Sequence, residues 1–391
     1  MDHPSVDIFC RVIDNFGDVG VTWRLARQLA TERGCSVRFI IDEPSLLHRF
    51  APLLDPTLAS QQIPVTPPFH SSDTDNSPSM IAVMTWNEEL LTRHYGEPAE
   101  IVIESFGCGL PVCVISQMKE HVDAAKRGSI WLDLEYLSAE EWVPRFHAIP
   151  SCEPQSGLDR TLFFPGFSPK TGGLIRERNL LTTRDTFVGS IDEQNRWRSR
   201  FELPPKSEAV DLSIFCYHTA PVERLLRAAS QHHTKVRFFV TAGVPDTMRD
   251  EIANRVAQHS DRFSVHYLPF LSHDDYDRLL WSCSLNFVRG EDSFVRALWS
   301  GKPFIWQIYR QEENAHIKKL QAFLGCYRDG VSPSVGQSLE KLHYLWNEGG
   351  SELFAPFSIL SELAHEARIY TDSLATQADL ASNVLNFARA S

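Results

Sequence analysis

Two short stretches hold most of the residues whose types and spacing could do chemistry, and each combines carboxylates with glycine. In DNFGDVG (14–20), Asp14 and Asp18 fall in what reads as one tight turn. Gly17 and Gly20 permit a sharp backbone and close approach to a ligand. Two carboxylates sharing a small loop can tune one another, so one could act as a general base. Plainer roles stay open: Asp18 could cap a following helix, and Asp14 could shape an Asx turn. The loop is not GxGxxG, so it gives no support to a dinucleotide oxidoreductase. In RGEDSFVRA (289–297), Gly290 permits an unusual backbone angle, and Asp292 and Ser293 could cap a helix. The N–H groups of that helix start and the Ser293 hydroxyl suit a diphosphate, and Arg289 and Arg296 could add positive charge. Glu291 is a costly neighbour for a phosphate unless something uses it. A capping motif with a surface salt bridge is the plain alternative here.

Both stretches fall between a strand pattern and a helix pattern. VDIFCRVI (6–13) is an apolar run, and after the first loop Val21, Leu25 and Leu29, with Ala26 and Ala30, mark one buried helical stripe. SVRFIID (36–42), EIVIESF (100–106) and SIWLDLE (129–135) also read as strands. The Pro-, Ser-, Thr- and Asp-rich stretch 51–79 reads as a long surface loop. The pattern lapses around 165–187 and restarts with strand candidates at 210–217, 235–242, 262–270, 284–290 and 303–309. Helical stretches lie near 221–231, 246–258, 274–282 and 293–300. Strands buried on both faces and alternating with helices predict parallel sheets. We expect an α/β protein of two doubly wound domains, 1–180 and 181–370, facing a central cleft. The last segment, 371–391, is a helix suited to pack back on the first domain. Ligands in such folds bind at strand-to-helix loops.

Composition narrows the partners. The chain has 391 residues, 43% hydrophobic and 23% charged, which is ordinary globular composition and excludes a disordered or fibrous chain. No run approaches the roughly 18 apolar residues of a membrane helix. MDHPSVDIFC lacks the layout of a signal peptide, so we expect a cytoplasmic protein away from the membrane. The net charge of −12 and the lack of a basic block argue against nucleic acid as a partner. Eight scattered cysteines without CxxC and fifteen dispersed histidines without HExxH predict reduced thiols, no metal and no bound cofactor. Cys108, in ESFGCGLP, has no nucleophile elbow or arranged histidine and reads as a structural thiol. His232 and His233 read as solvent-facing. Trp131, Tyr136 and Trp142 read as core aromatics by default, although their segment, with Glu135 and Glu140, could help receive a protein partner. A glycine-bearing loop from each half, with no Walker lysine, suggests a two-domain glycosyltransferase.

Four long motifs, in order and spread through both halves, sharpen this. VIDNFGDVGVTWRLARQLA (12–30), LDLEYLSAEEW (132–142), GFSPKTGGLIRER (166–178) and RGEDSFVRA (289–297) closely resemble the EarP family. These are protein-arginine rhamnosyltransferases acting on bacterial translation elongation factor P. The resemblance implies a GT-B fold of two Rossmann-like domains and dTDP-β-L-rhamnose as co-substrate. It implies one arginine of the factor's N-terminal domain as acceptor, inversion at the anomeric carbon and no divalent metal. The modified factor would be active in rescuing ribosomes stalled at polyproline.

By the same resemblance Asp18 would be the general base, Asp14 would orient the acceptor guanidinium, and Glu291 would be the third residue tied to activity. Asn15, Phe16 and Gly17 would line the donor, and Arg289, Gly290, Asp292 and Ser293 would surround its diphosphate. Phe215 and Tyr217 match an aromatic pair near the nucleotide, and Phe270 would pack on the thymine. His273 stands where a family member carries glutamine, a departure that leaves a hydrogen-bond donor but alters its character. Two rival readings remain at this point: a similar enzyme with a small-molecule or lipid acceptor, and a non-catalytic nucleotide-sugar-binding protein.

Overall fold

The apolar run near the start becomes a strand buried on both faces, β1 (Ser5–Cys10), with Val6, Ile8, Phe9 and Cys10 all out of contact with solvent. The computed structural model describes residues 3–13, 16–69, 78–124, 128–259 and 261–391. The chain forms two compact units, Met1–Asn179 with Gln377–Ser391, and Leu180–Thr376.

In the first unit the strands that follow are β2 (Ser36–Ile41), β3 (Ser60–Val65), β4 (Ser79–Thr85), β5 (Ile101–Ser105), β6 (Ile130–Leu134), β7 (Ile149–Cys152) and β8 (Asp159–Phe163). Among the described residues they make one sheet in the order β3-β4-β2-β1-β5-β6-β8-β7. The six inner strands are parallel, and β3 and β7 run antiparallel at the two edges. The chain places β2 and β4 on one side of β1 and then crosses to β5 on the other. The carboxyl ends of β1 and β5 therefore flank a topological switch point, where such sheets open a crevice for ligands. The helix Phe16–Arg33 leaves β1 at that point and buries Val19, Val21, Trp23, Leu25 and Leu29 against the sheet.

The stretch 51–79 corrects the expectation of a surface loop, because it contains β3. Ile63 and Val65 alternate inward along β3 while Gln62 and Pro64 stay exposed. An edge strand tolerates Pro64, which has no N–H to give a ladder. Residues 70–77 of that stretch lie outside the described residues. The terminal helix Leu380–Ala390 belongs to this first unit: Leu380, Ala381, Val384, Leu385 and Ala388 join the same core as Val6, Ile8 and Leu29. Asp379 caps it by accepting from Ser382 N–H at 3.0 Å, and Gln28 and Arg33 of the first helix donate to the same carboxylate at 3.1 and 2.8 Å.

The second unit holds β9 (Val210–Ile214), β10 (Val236–Val240), β11 (Phe263–Tyr267), β12 (Leu285–Arg289) and β13 (Phe304–Gln307). All pairs are parallel, in the order β11-β10-β9-β12-β13. The switch point of this sheet lies between β9 and β12, so residues 215–217 and 289–290 leave neighbouring strands side by side.

Candidate active site

In the first unit Asp18 is the third residue of the helix that follows β1 and is 2% exposed. Its carboxylate Oδ2 accepts the backbone N–H of Ile13 at 2.8 Å, and Oδ1 accepts the hydroxyl of Tyr136 at 3.3 Å. The charge therefore sits at the exit of β1, beside the positive end of the helix. Asp14 and Asn15 lie outside the described residues. Phe16 and Gly17, half-buried, open the helix, and the Phe16 ring meets the edge of Phe50 at 6.0 Å.

The neighbouring loop, after β5, is built around residues in the left-handed region. Phe106 has φ +60°, followed by Gly107 at +61° and Gly109 at +72°. The Phe106 ring lies against Tyr136 at 4.4 Å and 12° between planes. Cys108 is buried in this loop, its thiol directed at the Phe9 carbonyl, and burial pushes its pKa up to about 12. That is the behaviour of a structural thiol and not of a nucleophile. Trp131 is likewise buried and donates its indole N–H to Glu104 at 3.0 Å. Trp142 of the same segment is exposed, edge-on to Phe146 and Phe164.

Glu104 and Asp133 face one another across β5 and β6, with Arg160 3.5 Å from Asp133 and 3.9 Å from Glu104. Burial, then the charges of Glu104 and Glu135, push the Asp133 carboxyl up to about 7. Folding thus takes up a proton at Asp133 between the ordinary carboxylate range and neutrality. The stability tied to this group is fully present at low pH and is lost as pH rises through about 7. Asp133→Asn, which never ionises, should melt relatively higher as pH is raised from about 5 to about 8. Thermal scans across that range check this; two parallel curves would show that Asp133 does not titrate there.

In the second unit Arg289 ends β12 with its guanidinium 4.5 Å from the Phe215 ring and 4.6 Å from the Tyr217 ring. One Nη donates to the Cys216 carbonyl at 3.1 Å, so the planar cation is held from three sides at the switch point. Tyr217 N–H donates to Gln307 Oε1 at 2.7 Å, and Gln307 donates in turn to Thr219 at 3.0 Å. Gln307 was not among the residues expected at the site. Its only sequence signal is a polar side chain closing a buried strand.

Gly290 has φ +66° and ψ −173°, a conformation open essentially to glycine alone, and precedes the helix Glu291–Ser300. The expected cap is not formed: Gly290 occupies the N-cap, no side chain caps there, and the buried Ser293 hydroxyl donates back to the Arg289 carbonyl. Glu291 and Asp292 are half-buried in the first turn. The helix is fixed by Phe294, stacked on Trp306 at 4.0 Å, while Trp306 donates to the Gly290 carbonyl at 3.0 Å.

Arg296 departs from expectation. Both partners are buried, and its guanidinium grips Asp277 with two bonds of 2.8 and 2.7 Å, so it joins two helices and is not a charge offered to a diphosphate. His273 is buried at the start of the helix His273–Ser282, one turn before Tyr276, whose ring meets the edge of Phe215 at 6.1 Å. Phe270 is half-buried in the preceding loop. Phe215, Tyr217 and Arg289 thus come into direct contact, with Gly290 and Ser293 next in the chain. His233 is exposed, stacked on His232 at 5.3 Å. Among the described residues no three His, Cys, Asp or Glu side chains gather as a metal site, and no helix is long and apolar enough to cross a membrane.

The family model described as "Elongation-Factor P (EF-P) rhamnosyltransferase EarP" matches residues 6–389. The chain is 38% identical to the protein-arginine rhamnosyltransferase of Pseudomonas aeruginosa over 98% of both chains. It is 34% identical to that of Shewanella oneidensis, again over 98% of both. A structure solved for EarP-mediated arginine glycosylation of translation elongation factor EF-P is 29% identical, with a TM-score of 0.61 over 99% of both chains.

Proposed function

The chain belongs to the EarP family of EF-P rhamnosyltransferases, and from that premise we propose that it moves L-rhamnose from dTDP-β-L-rhamnose to one arginine of EF-P with inversion. The observation that carries this reading is a carboxylate fixed at one switch point and an aromatic-held arginine at the other, each on a family motif.

The chemistry follows from the acceptor. A guanidinium has a pKa above about 12 and no available lone pair. A carboxylate must bind the cation, turn one nitrogen toward the anomeric carbon and take a proton as the N–C bond forms. Asp18 does this in our reading, and the product keeps its guanidinium charge. Asp14 helps to orient the acceptor. The bond that breaks joins the anomeric carbon to the diphosphate oxygen, which leaves with the electron pair. Arg289 and the N–H groups of the helix Glu291–Ser300 stabilise the charge growing on that oxygen. Gly290, Asp292 and Ser293 surround the diphosphate, and the Ser293 hydroxyl must turn from the Arg289 carbonyl to donate to it. Asn15, Phe16 and Gly17 line the sugar. Phe215, Tyr217, Phe270 and His273 receive the nucleotide, and Glu291 is the remaining residue tied to activity. One displacement gives inversion without a covalent sugar–enzyme intermediate. The acceptor being a translation factor, the reaction belongs to the cytoplasm.

The test is the intact mass of EF-P after incubation with the protein and dTDP-β-L-rhamnose. A gain of one deoxyhexose on a single arginine is expected. No gain with folded protein and intact donor would overturn the acceptor or donor assignment, and sugar appearing on a lipid carrier instead would favour a different transferase.

A further inference from the structure

We infer that Tyr136 is a positioning residue for Asp18, aimed by its stack on Phe106. This rests on the reading of Asp18 as the base. In the first sheet β1, β5 and β6 are neighbours, so the segments leaving their carboxyl ends converge on one edge. Asp18 follows β1, Phe106 follows β5, and Tyr136 follows β6.

Each carboxylate oxygen of Asp18 has a donor from a different element: the Ile13 N–H at 2.8 Å on Oδ2, and the Tyr136 hydroxyl at 3.3 Å on Oδ1. The first donor sets where the carboxylate sits, and the second sets its rotation. Proton abstraction depends on that rotation, because the receiving lone pair must face the acceptor nitrogen.

The tyrosine is itself held. Phe106 adopts φ +60°, a conformation that a bulky side chain keeps only where its surroundings enforce it. They do so here: Phe106 N–H donates to the Leu134 carbonyl at 2.6 Å, and Glu104 accepts Gly109 N–H at 2.8 Å to close the loop. The strained backbone presents the Phe106 ring face-on to Tyr136 at 4.4 Å, which fixes where the hydroxyl points. Packing alone would call for the ring and not for its hydroxyl.

Tyr136→Phe keeps the ring and its stack and removes only the donor. We expect kcat to fall roughly tenfold, the worth of one ordinary hydrogen bond. KM for each substrate should stay within about twofold, the mark of an interaction used in the transition state alone. The melting temperature should not move. An unchanged kcat, or a fall in kcat matched by loss of folded protein, would overturn the positioning role. Asp18→Asn assayed beside it separates the two ideas. If that variant is inactive while Tyr136→Phe turns over normally, Asp18 keeps its role and only the positioning of it fails. If Asp18→Asn turns over normally, the base assignment falls and takes the role of Tyr136 with it.

Discussion

Asp18→Asn is expected to lower kcat by roughly 10²–10⁴-fold while leaving donor affinity within about threefold. The substitution changes one atom and little else. An asparagine carbonyl can accept the Ile13 N–H that Asp18 accepts at 2.8 Å, and its amide can donate to the Tyr136 oxygen now 3.3 Å away. The first turn of the helix and the melting temperature should therefore survive. On the proposed mechanism, what is lost is the negative charge that would hold a cationic acceptor and the site that would take its proton. In the proposed reading the residues that receive the nucleotide and diphosphate belong to the second unit, whereas Asn15, Phe16 and Gly17 beside Asp18 line only the sugar, so titration with dTDP reads the former alone. Single-turnover transfer followed by mass, with calorimetric titration of dTDP, measures the two quantities separately. Turnover within tenfold of the parent would remove Asp18 from the base role. Loss of dTDP affinity in step with rate would instead make it part of the donor site.

Much of this architecture is legible in the sequence because parallel sheets write a local signal. Val6 to Cys10 and Leu285 to Val288 are buried at every position and apolar at all but Asp7 and Asn286, as strands covered on both faces tend to be, and the helices between them keep a helical stripe. The same pattern exposes the strand-to-helix loops, and glycine and carboxylate clusters within those loops mark 14–20 and 289–297. The terminal helix is legible for the same reason, since 380, 381, 384, 385 and 388 form one stripe.

The remaining features depend on contacts that no local pattern carries. Tyr136 meets Asp18 across 118 residues, and its neighbours Trp131 and Leu134 are buried, so a core role was the natural reading. Arg296 lies seven residues from Arg289 in the chain and looks equally available, yet Asp277, 19 residues earlier, claims it. β3 is hidden because an edge strand needs only two inward residues, and Pro64 argues against any strand by propensity alone. The Ser293 hydroxyl illustrates a finer limit: residue type marks a capping group, but the turn geometry set by Gly290 directs it to a carbonyl.

Asp211→Ala is expected to produce the largest loss of stability, and it shows why a buried aspartate is not by itself a sign of catalysis. Asp211 is fully buried on β9 and accepts from Arg237 at 2.5 and 2.9 Å and from Arg198 at 2.5 Å, with the Lys206 ammonium at 3.5 Å. Arg198 also donates to the Pro204 carbonyl at 3.0 Å, and Arg237 to the Pro205 carbonyl at 2.9 Å. One carboxylate thereby ties the helix Ile191–Ser199, the segment after it, β9 and β10 together. Removing it leaves two arginines buried without their charge partner, which costs about 3–5 kcal/mol. For a unit of this size the melting transition should drop by about 10 °C, with dTDP binding lost over the same range. Position along the strand separates this aspartate from Asp18. Asp211 is the second residue of its strand, at the amino end of the sheet, whereas Asp18 lies beyond the carboxyl end of β1, where ligands bind in doubly wound folds. Calorimetric scans of the two variants should therefore diverge, with Asp18→Asn melting like the parent and Asp211→Ala far below it. An Asp211→Ala protein that melts normally would mean that desolvation of the three cations already cancels their attraction to the carboxylate, leaving the β9 knot with no net hold on the second unit.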